Sequence, residues 1–173
     1  MPLPPAFPLP MILTAAQWGM PGPLGAPMKL PVEDVFLHHT VTKATDDPLE
    51  DARGVARVGI ARFCRASYTV MIHPHRVIFW TQTGHVGAHT MGRNSISLGI
   101  ALIGDYSRDP VPDTLAFDAC VALAALRSFG LVEAHPVIRP HSDVSATACP
   151  GSHAKAKVLP MLRAVAARPD WRP

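Results

Sequence analysis

The sequence predicts an α/β domain in which a mixed central β-sheet is flanked by α-helices. Two observations carry this prediction. Short β-rich runs alternate with segments of helical period, and from residue 32 their order is β-α-β-β-β-α-β-α. The continuous apolar run Ile96–Ile103 is typical of a central strand that is buried on both faces. The 173 residues suffice for one domain with a full-sized hydrophobic core.

The first thirty residues differ in composition from the rest of the chain. Residues 1–30 are rich in proline and glycine, and such a segment is a poor candidate for a regular ladder of hydrogen bonds. We therefore predict an extended arm over residues 1–30, outside the sheet and with Trp18 as its candidate anchor. The folded domain then covers residues 31–173. The start of the chain lacks a basic region and is interrupted by prolines, so it predicts no secretory signal peptide.

Regular structure is predicted to begin near residue 32, with a buried strand that contains Asp34–Thr40. Two aspartates followed by Pro48 are a helix start signal, and the apolar period of Leu49–Ala66 continues that helix. Two short β-rich runs follow, Tyr68–Ile72 and Val77–Trp80. The turn residues between these runs predict a β-hairpin.

The second half of the chain alternates strands and helices. After the central strand, Asp113–Phe129 has a strong helical pattern that ends at Gly130. Val137–Arg139 is predicted to be a short strand, and Ser152–Ala167 to be the final helix. These elements complete a mixed sheet with helices packed on it.

Composition narrows the class of function. The formal net charge is +3, and no basic stripe interleaved with aromatic residues predicts a nucleic-acid surface. No apolar run is long enough to cross a bilayer. The three cysteines are too few for a disulfide framework. Cys64 and Cys120 lie in apolar helical patterns, so both are predicted to be buried core thiols.

Two histidines and one cysteine are the candidate metal ligands. His38 lies in the predicted strand Asp34–Thr40, and His141 and Cys149 stand eight residues apart about a hundred residues later. Two imidazoles and a thiolate suit zinc, and three protein ligands leave the open position that a catalytic zinc requires. His39 and His153 remain open as a fourth ligand, although strand alternation predicts that His39 points to the opposite face of the sheet.

For four other histidines and for Trp80, we predict a position at the surface or in the core and not a role in binding. His73 and His75 lie in a predicted turn and are expected to be solvated. His135 and His153 are expected at the surface. Trp80 ends a hairpin strand, where core packing is more common than stacking on a sugar ring.

Five ordered motifs resemble those of the zinc N-acetylmuramoyl-L-alanine amidases, a family that includes phage lysozyme-type amidases and peptidoglycan recognition proteins. The resemblance covers about residues 32–165. The motifs are Leu37-His-His-Thr40, Ser67-Tyr-Thr-Val70, Gly87-Ala-His-Thr-Met-Gly-Arg-Asn94, Ser97-Leu-Gly-Ile-Ala-Leu-Ile-Gly-Asp-Tyr106 and His141-Ser-Asp-Val-Ser-Ala-Thr-Ala-Cys-Pro-Gly151. The resemblance implies a peptidoglycan recognition protein-like fold with a groove for peptidoglycan above the zinc.

Position by position, the resemblance implies that His38, His141 and Cys149 bind Zn²⁺. It implies that Tyr68 is the catalytic tyrosine. Thr147 falls where some members of the family have lysine and others threonine. A threonine hydroxyl there is a neutral and weaker donor to an oxyanion than a lysine ammonium.

Further residues of the same motifs are candidates for contacts with the substrate. The resemblance places His89 at a groove position and makes Asp143 a candidate for orienting the ligand loop. Arg93 and Asn94 are suited to a peptide carboxylate or a sugar amide. The alternative for these two residues is closure of their own loop by local hydrogen bonds.

The leading hypothesis is zinc-dependent hydrolysis of the amide bond between N-acetylmuramic acid and L-alanine in bacterial peptidoglycan. We expect a monomer that acts as the catalytic domain of a phage or bacterial lysin. A phage lysin would stay in the host cytoplasm until release to the cell wall. The alternative is a module that binds peptidoglycan without cutting it. A third hypothesis, a structural zinc domain on nucleic acid, lacks four-ligand spacing and a basic patch.

Overall fold

The computed structural model describes residues 7–22, 24–81 and 83–173, which form a layer of β-sheet between two layers of helix. The elements in chain order are β1 (Met11–Leu13), α1 (Ala15–Trp18), β2 (Val32–His39), α2 (Pro48–Phe63), β3 (Val70–His73), β4 (Val77–Trp80), β5 (Ser97–Leu102), α3 (Asp113–Ser128), β6 (Val132–Pro140), a short 3₁₀ turn (His141–Asp143) and α4 (Ser152–Ala166).

The six strands form one mixed sheet in the order β1-β4-β3-β5-β2-β6. Strands β3 and β4 pair antiparallel as a hairpin, and every other neighbouring pair is parallel. The predicted α/β class and the predicted order of elements after residue 31 are therefore confirmed. No helix in the described ranges is both long and apolar enough to span a bilayer.

Element boundaries follow local chemistry. Helix α2 begins where the Asp47 side chain caps it by accepting a hydrogen bond from the Glu50 N–H at 3.0 Å. Strand β3 begins at Val70 and not at Tyr68, so Tyr68 lies just before the ladder. Strand β6 is longer than predicted because it already pairs with β2 at Val132.

The prediction that the first thirty residues lie outside the sheet is wrong for Met11–Leu13. These three residues pair in parallel with Val77–Phe79 and form one edge of the sheet. The first run of prolines ends at Pro10 and the next proline is Pro21, so Met11–Leu13 keep the backbone N–H groups that pairing needs. Trp18 is an anchor, as expected: it is 1% exposed and its indole N–H donates to the Trp80 carbonyl at 2.8 Å. The boundary between arm and domain at residue 30 stays a prediction.

Two apolar clusters hold the layers together, one on each face of the sheet. The larger lies under α3 and α4 and includes Val35, Leu37 and Ile100 of the central strands. The smaller lies under α1 and α2 and includes Met71 and Ala101. Alternation along each strand sends neighbouring side chains to opposite clusters, which decides the face that the site occupies.

Two predictions about polar side chains are wrong. Cys64 is exposed because it caps the C-terminus of α2 in a left-handed conformation with φ of 56°, whereas Cys120 is buried as predicted. His73 is completely buried, and its Nε2 atom lies 3.0 Å from a carboxylate oxygen of Asp51, which is the polar partner that a buried imidazole needs. A turn position alone does not reveal such a distant partner.

The positions predicted for Trp80 and for the three other histidines are confirmed. Trp80 is in the core, with 7% of its surface exposed. His135 and His153 lie at the surface, and the His75 side chain is half exposed.

Candidate metal centre

Parallel pairing of β2 and β6 brings His38 and His141 side by side. Leu37 of β2 is in register with Pro140, the last residue of β6, so the next residue on each chain segment lies at the same level. The two imidazole ring centroids are 4.6 Å apart. His38 is in register with Ala101 of β5, whose side chain belongs to the cluster on the α2 face. The centre therefore opens on the α2 face of the sheet.

Cys149 reaches the same point from the loop between β6 and α4. The Ser142 N–H donates to the Cys149 carbonyl at 3.1 Å, which closes the loop, and the Cys149–Pro150 peptide bond is cis. The backbone N–H of His39 points at the Cys149 Sγ atom at 3.4 Å. A Cβ at Gly151 would lie 2.3 Å from the Tyr106 backbone, so this close approach of the loop requires glycine.

The three side chains form a group that could hold a metal ion. One donor atom from each of His38, His141 and Cys149 lies within 4.8 Å of the others. The His38 Nδ1 atom is 3.6 Å from the Cys149 Sγ atom. Two ligand atoms on a tetrahedral zinc are about 3.5 Å apart, given Zn–N and Zn–S lengths of about 2.0 and 2.3 Å. The donor types and this distance both fit zinc.

The two residues left open as a fourth ligand lie elsewhere. His39 points to the opposite face of the sheet, as predicted, and its Nδ1 atom accepts the Tyr106 N–H at 3.0 Å. His153 is exposed on α4. Among the residues that the structure describes, the group of three contains neither of them, so a metal ion held by the three would keep a position open for water or substrate.

Burial sets the protonation states in this centre. It lowers the pKa of His38 well below the ordinary value, with smaller contributions from the neighbouring histidines, and it also lowers the pKa of His141. Both imidazoles are therefore neutral at neutral pH, which is the form that binds metals. Burial raises the pKa of the Cys149 thiol to about 11, so a cation that binds there displaces a proton.

Tyr68 lies against the metal centre. Its ring centroid is 5.2 Å from that of His38, and Tyr68 is in part exposed. Burial, together with the nearby Cys149, raises the pKa of the Tyr68 phenol to about 12. The hydroxyl is therefore protonated at neutral pH and is able to donate a hydrogen bond.

Thr147 and Asp143 lie in the same loop as Cys149, and both are exposed. The Thr147 hydroxyl oxygen accepts the Cys149 N–H at 3.2 Å, which leaves the hydroxyl proton free for another acceptor. The pKa of Arg139 is raised mainly by its hydrogen bond and ion pair with Asp34, and the negative charge of Asp143 adds a smaller contribution. The roles expected of Thr147 and Asp143 stay predictions.

The loop before β5 delivers the candidate substrate residues. His89 is buried, and its Nδ1 atom lies 3.2 Å from the His38 Nε2 atom. The Asn94 side-chain oxygen accepts the His89 and Thr90 N–H groups at 2.9 and 2.7 Å, so it closes the loop. Arg93 is exposed beside it. Substrate contacts by these residues stay predictions.

A cleft of about 490 Å³ opens beside Tyr68, between α2 and the segment after β2. Its lining carries both signs of charge, with Lys43 on one side and Glu50 and Asp51 on α2. These three charged residues were not predicted from the sequence to lie at the site. The available signal for this cleft was the predicted helix start at Pro48. A helix that begins so soon after β2 must pass close to the end of that strand.

The fold and the three-residue cluster define a mixed α/β domain with a candidate His-His-Cys metal centre. The family model described as N-acetylmuramoyl-L-alanine amidase matches residues 28–152. The chain belongs to this family, which confirms the resemblance noted in the sequence.

Relatives include both amidases and recognition proteins. The chain is 32% identical to peptidoglycan-recognition protein SA of Drosophila melanogaster over 123 residues, which are 67% of this chain and 60% of that protein. It is 29% identical to an N-acetylmuramoyl-L-alanine amidase of Sus scrofa over 155 residues, which are 82% of this chain. The chain spans only 26% of the length of that amidase.

Solved structures agree on the fold. The Drosophila recognition protein SA has a TM-score of 0.77 and 25% identity, and the match covers 94% of this chain and 92% of that one. A human recognition protein in complex with glycosamyl muramyl pentapeptide has a TM-score of 0.76 and 22% identity, with 83% and 92% of the two chains covered. The predicted recognition protein-like fold is thus confirmed.

Proposed function

We propose that the chain is a zinc-dependent amidase that hydrolyses the bond between N-acetylmuramic acid and L-alanine in bacterial peptidoglycan. Membership of the amidase family supports the class of reaction. The observation that carries the proposal is the group of three donor atoms within 4.8 Å, with Tyr68 beside it. A domain that only binds peptidoglycan has no need to keep this combination.

In this proposal His38, His141 and Cys149 hold the metal. A bound zinc would supply a Lewis acid that polarises the substrate carbonyl and activates water. The two neutral imidazoles and the thiolate leave one net positive charge on such a site. The protein holds them on the ends of two parallel strands and one closed loop, so little reorganisation is needed when the reaction occurs.

Tyr68 is the proposed hydrogen-bond donor to the oxyanion that develops on the carbonyl. Its phenol keeps its proton because burial raises the pKa to about 12. The Thr147 hydroxyl, in the loop that carries Cys149, is a second proposed donor. Donors aimed at developing charge are among the largest contributions to such catalysis.

Substrate binding is proposed for the cleft beside Tyr68 and for the loop that carries His89, Arg93 and Asn94. Arg93 is exposed and cationic, which suits a carboxylate of the stem peptide. We propose that peptidoglycan is the partner and that residues 31–173 act as a monomer. We also propose that the chain is the catalytic domain of a phage or bacterial lysin. A phage lysin would stay in the host cytoplasm until its release to the cell wall.

The test is mass spectrometry of purified muropeptides after incubation with the protein, with and without a metal chelator. We expect a stem peptide with a free N-terminal L-alanine and an intact glycan strand, formed only in the absence of chelator. New reducing sugar ends, or cleavage between stem-peptide residues, would refute the proposed reaction.

A peptidoglycan-binding module without activity is the second candidate, because several relatives are recognition proteins. The same incubation separates the two candidates when binding of a labelled muropeptide is measured in parallel. Saturable binding with no product, by a protein that carries one zinc, would favour the binding module. The presence of both Cys149 and Tyr68 favours the enzyme.

A further inference from the structure

The second ring nitrogen of His38 has a defined neighbour. The Nδ1 atom of His38 faces Cys149, and the Nε2 atom lies 3.2 Å from the Nδ1 atom of His89. A neutral imidazole has one N–H and one lone pair. If Nδ1 is to bind a metal, the proton must sit on Nε2, and that N–H then needs an acceptor.

His89 is such an acceptor because of what lies behind it. Its Nε2 atom is 3.3 Å from the carbonyl oxygen of Ser97. A carbonyl can only accept a hydrogen bond, so the proton of His89 belongs on Nε2 and its Nδ1 atom presents a lone pair to His38. The Ser97 carbonyl therefore determines which ring nitrogen of His89 carries the proton, and so which nitrogen of His89 can accept from His38.

The hydroxyl of Thr90 lies beside this contact and is compatible with the same assignment. Its oxygen is 3.0 Å from the His89 Nδ1 atom and 3.4 Å from the His38 Nε2 atom. If the hydroxyl donates to His89, its lone pairs still face His38. In that arrangement the Thr90 oxygen can also accept the proton of the His38 Nε2 atom.

The His89 ring is held in place by the sheet beneath it. Gly99 of β5 lies under the ring, and a Cβ there would come within 2.8 Å of the His89 Cγ atom. Phe36, in register with Gly99, packs on the ring with a centroid distance of 6.2 Å. Only 7% of His89 is exposed. This packing restricts the ring to the orientation that meets His38.

We propose that His89 is a positioning residue that fixes the tautomer and the ring orientation of His38, so that His38 presents its Nδ1 atom to the metal. The inference rests on the metal site of the proposed function. It assigns His89 a task distinct from contact with the substrate. Outer partners that orient a metal-binding histidine commonly change metal affinity about 10- to 100-fold when they are removed.

Two variants with side chains of similar size distinguish the loss of the hydrogen-bond acceptor from the loss of the ring. In His89→Asn the side-chain oxygen can take the place of Nδ1 and accept from His38, whereas His89→Leu offers no acceptor. We expect His89→Leu to weaken zinc binding by about 10- to 100-fold, measured by competition with a chromophoric chelator. We expect His89→Asn to stay within a few-fold of wild type. Thermal unfolding of the metal-free proteins should be similar for the two variants.

The proposal would be overturned if both variants bound zinc with equal affinity. It would also be overturned if both lost zinc affinity equally, in step with a loss of stability of the metal-free proteins. Weaker muropeptide binding by His89→Leu with unchanged zinc affinity would assign His89 to the substrate instead. A wild-type protein without zinc affinity would overturn this inference together with the metal site. A protein that binds zinc but does not cut muropeptides would overturn the proposed function alone.

A measurement on the wild-type protein needs neither a variant nor activity. Long-range ¹H–¹⁵N correlation spectra of histidine side chains distinguish the two neutral tautomers of imidazole. We expect both His38 and His89 to carry the proton on Nε2 in the metal-free protein. A proton on the Nδ1 atom of His38 would overturn the proposal even if the variants fail to fold.

Discussion

The Nδ1 atom of His38 lies 3.6 Å from the Sγ atom of Cys149, although the two residues are 111 positions apart in the chain. Two features produce this proximity. The carboxyl end of β2 lies beside that of β6, where the loop that carries Cys149 begins, and the His39 N–H donates to the same sulfur at 3.4 Å. A backbone donor at that position stabilises a thiolate, which is the form of cysteine that binds metals.

The first prediction concerns Cys149→Ser. We expect the wild-type protein to retain about one zinc and the variant to lose affinity by more than about 100-fold, because a neutral hydroxyl replaces a thiolate ligand. Cys64→Ser is the matched control, since Cys64 is exposed at the end of α2. Elemental analysis after dialysis gives the stoichiometry. Full zinc occupancy in Cys149→Ser would remove this residue from the ligand set.

The second prediction concerns Tyr68→Phe, which removes one hydroxyl beside the metal centre. We expect kcat to fall about 10²- to 10³-fold with one zinc retained, because a single oxyanion donor has an effect of this size. Tyr106→Phe makes the same chemical change at a hydroxyl that donates to the Ile103 carbonyl, and it should leave kcat close to wild type. A zinc-replete Tyr68→Phe enzyme with unchanged kcat would exclude Tyr68 from the reaction.

The third prediction concerns the anchor of the N-terminal segment. Trp18→Ala should lower the free energy of unfolding by about 3–5 kcal/mol, because it empties a fully buried site and leaves the Trp80 carbonyl without its donor. Leu9→Ala is the control: Leu9 is 66% exposed, so a change within about 0.5 kcal/mol is expected. Urea unfolding measures both. Equal stability of Trp18→Ala and wild type would show that Trp18 does not anchor the segment.

The fourth prediction concerns the carboxylate of Asp51, which binds the buried His73. It also accepts the Thr45 N–H at 2.6 Å and the Thr45 hydroxyl at 3.0 Å. Burial alone would raise the pKa of Asp51, but the hydrogen bonds from Thr45 and His73 outweigh it and hold the pKa below the ordinary value. At pH 7 we expect Asp51→Asn to destabilise the protein by about 1.5–3 kcal/mol.

The sign of the pH dependence follows from the lowered pKa of Asp51. A carboxylate with a depressed folded-state pKa stabilises the fold above its unfolded pKa of about 3.9, and this contribution is lost as the pH falls through the folded value. The stability difference between wild type and Asp51→Asn should therefore shrink below about pH 4. Asp46→Asn is the control, because Asp46 lies in the loop just before α2 and its side chain is fully exposed. A difference that stays constant down to pH 2 would contradict this assignment.

Local patterns in the sequence were enough to predict most of the fold. The helix start at Pro48 and the apolar run of β5 depend on neighbouring residues, and both elements occur where they were expected. The strand Met11–Leu13 was missed because its only support is pairing with β4, more than sixty residues away. His73 was missed for the same reason, since its burial depends on Asp51 of another element.

The candidate site could be predicted in part, because its residues lie in motifs that follow one another in a recognisable order along the chain. The structure brings His38, His141 and Cys149 together, and their role as ligands stays a prediction. The sequence could not reveal that His89 meets His38, because this contact depends on the space left by Gly99 on a neighbouring strand.

The last prediction concerns Thr147, whose hydroxyl oxygen accepts the Cys149 N–H while its proton remains free. Thr147→Val keeps the shape of the side chain and removes the hydroxyl. We expect kcat to fall about 10- to 100-fold with zinc retained, the size of one hydrogen bond to a developing charge. Thr147→Ser keeps the hydroxyl and should stay near wild type. If Thr147→Val loses zinc and activity together, the hydroxyl acts by holding the Cys149 loop, and Tyr68 remains the one proposed donor to the oxyanion.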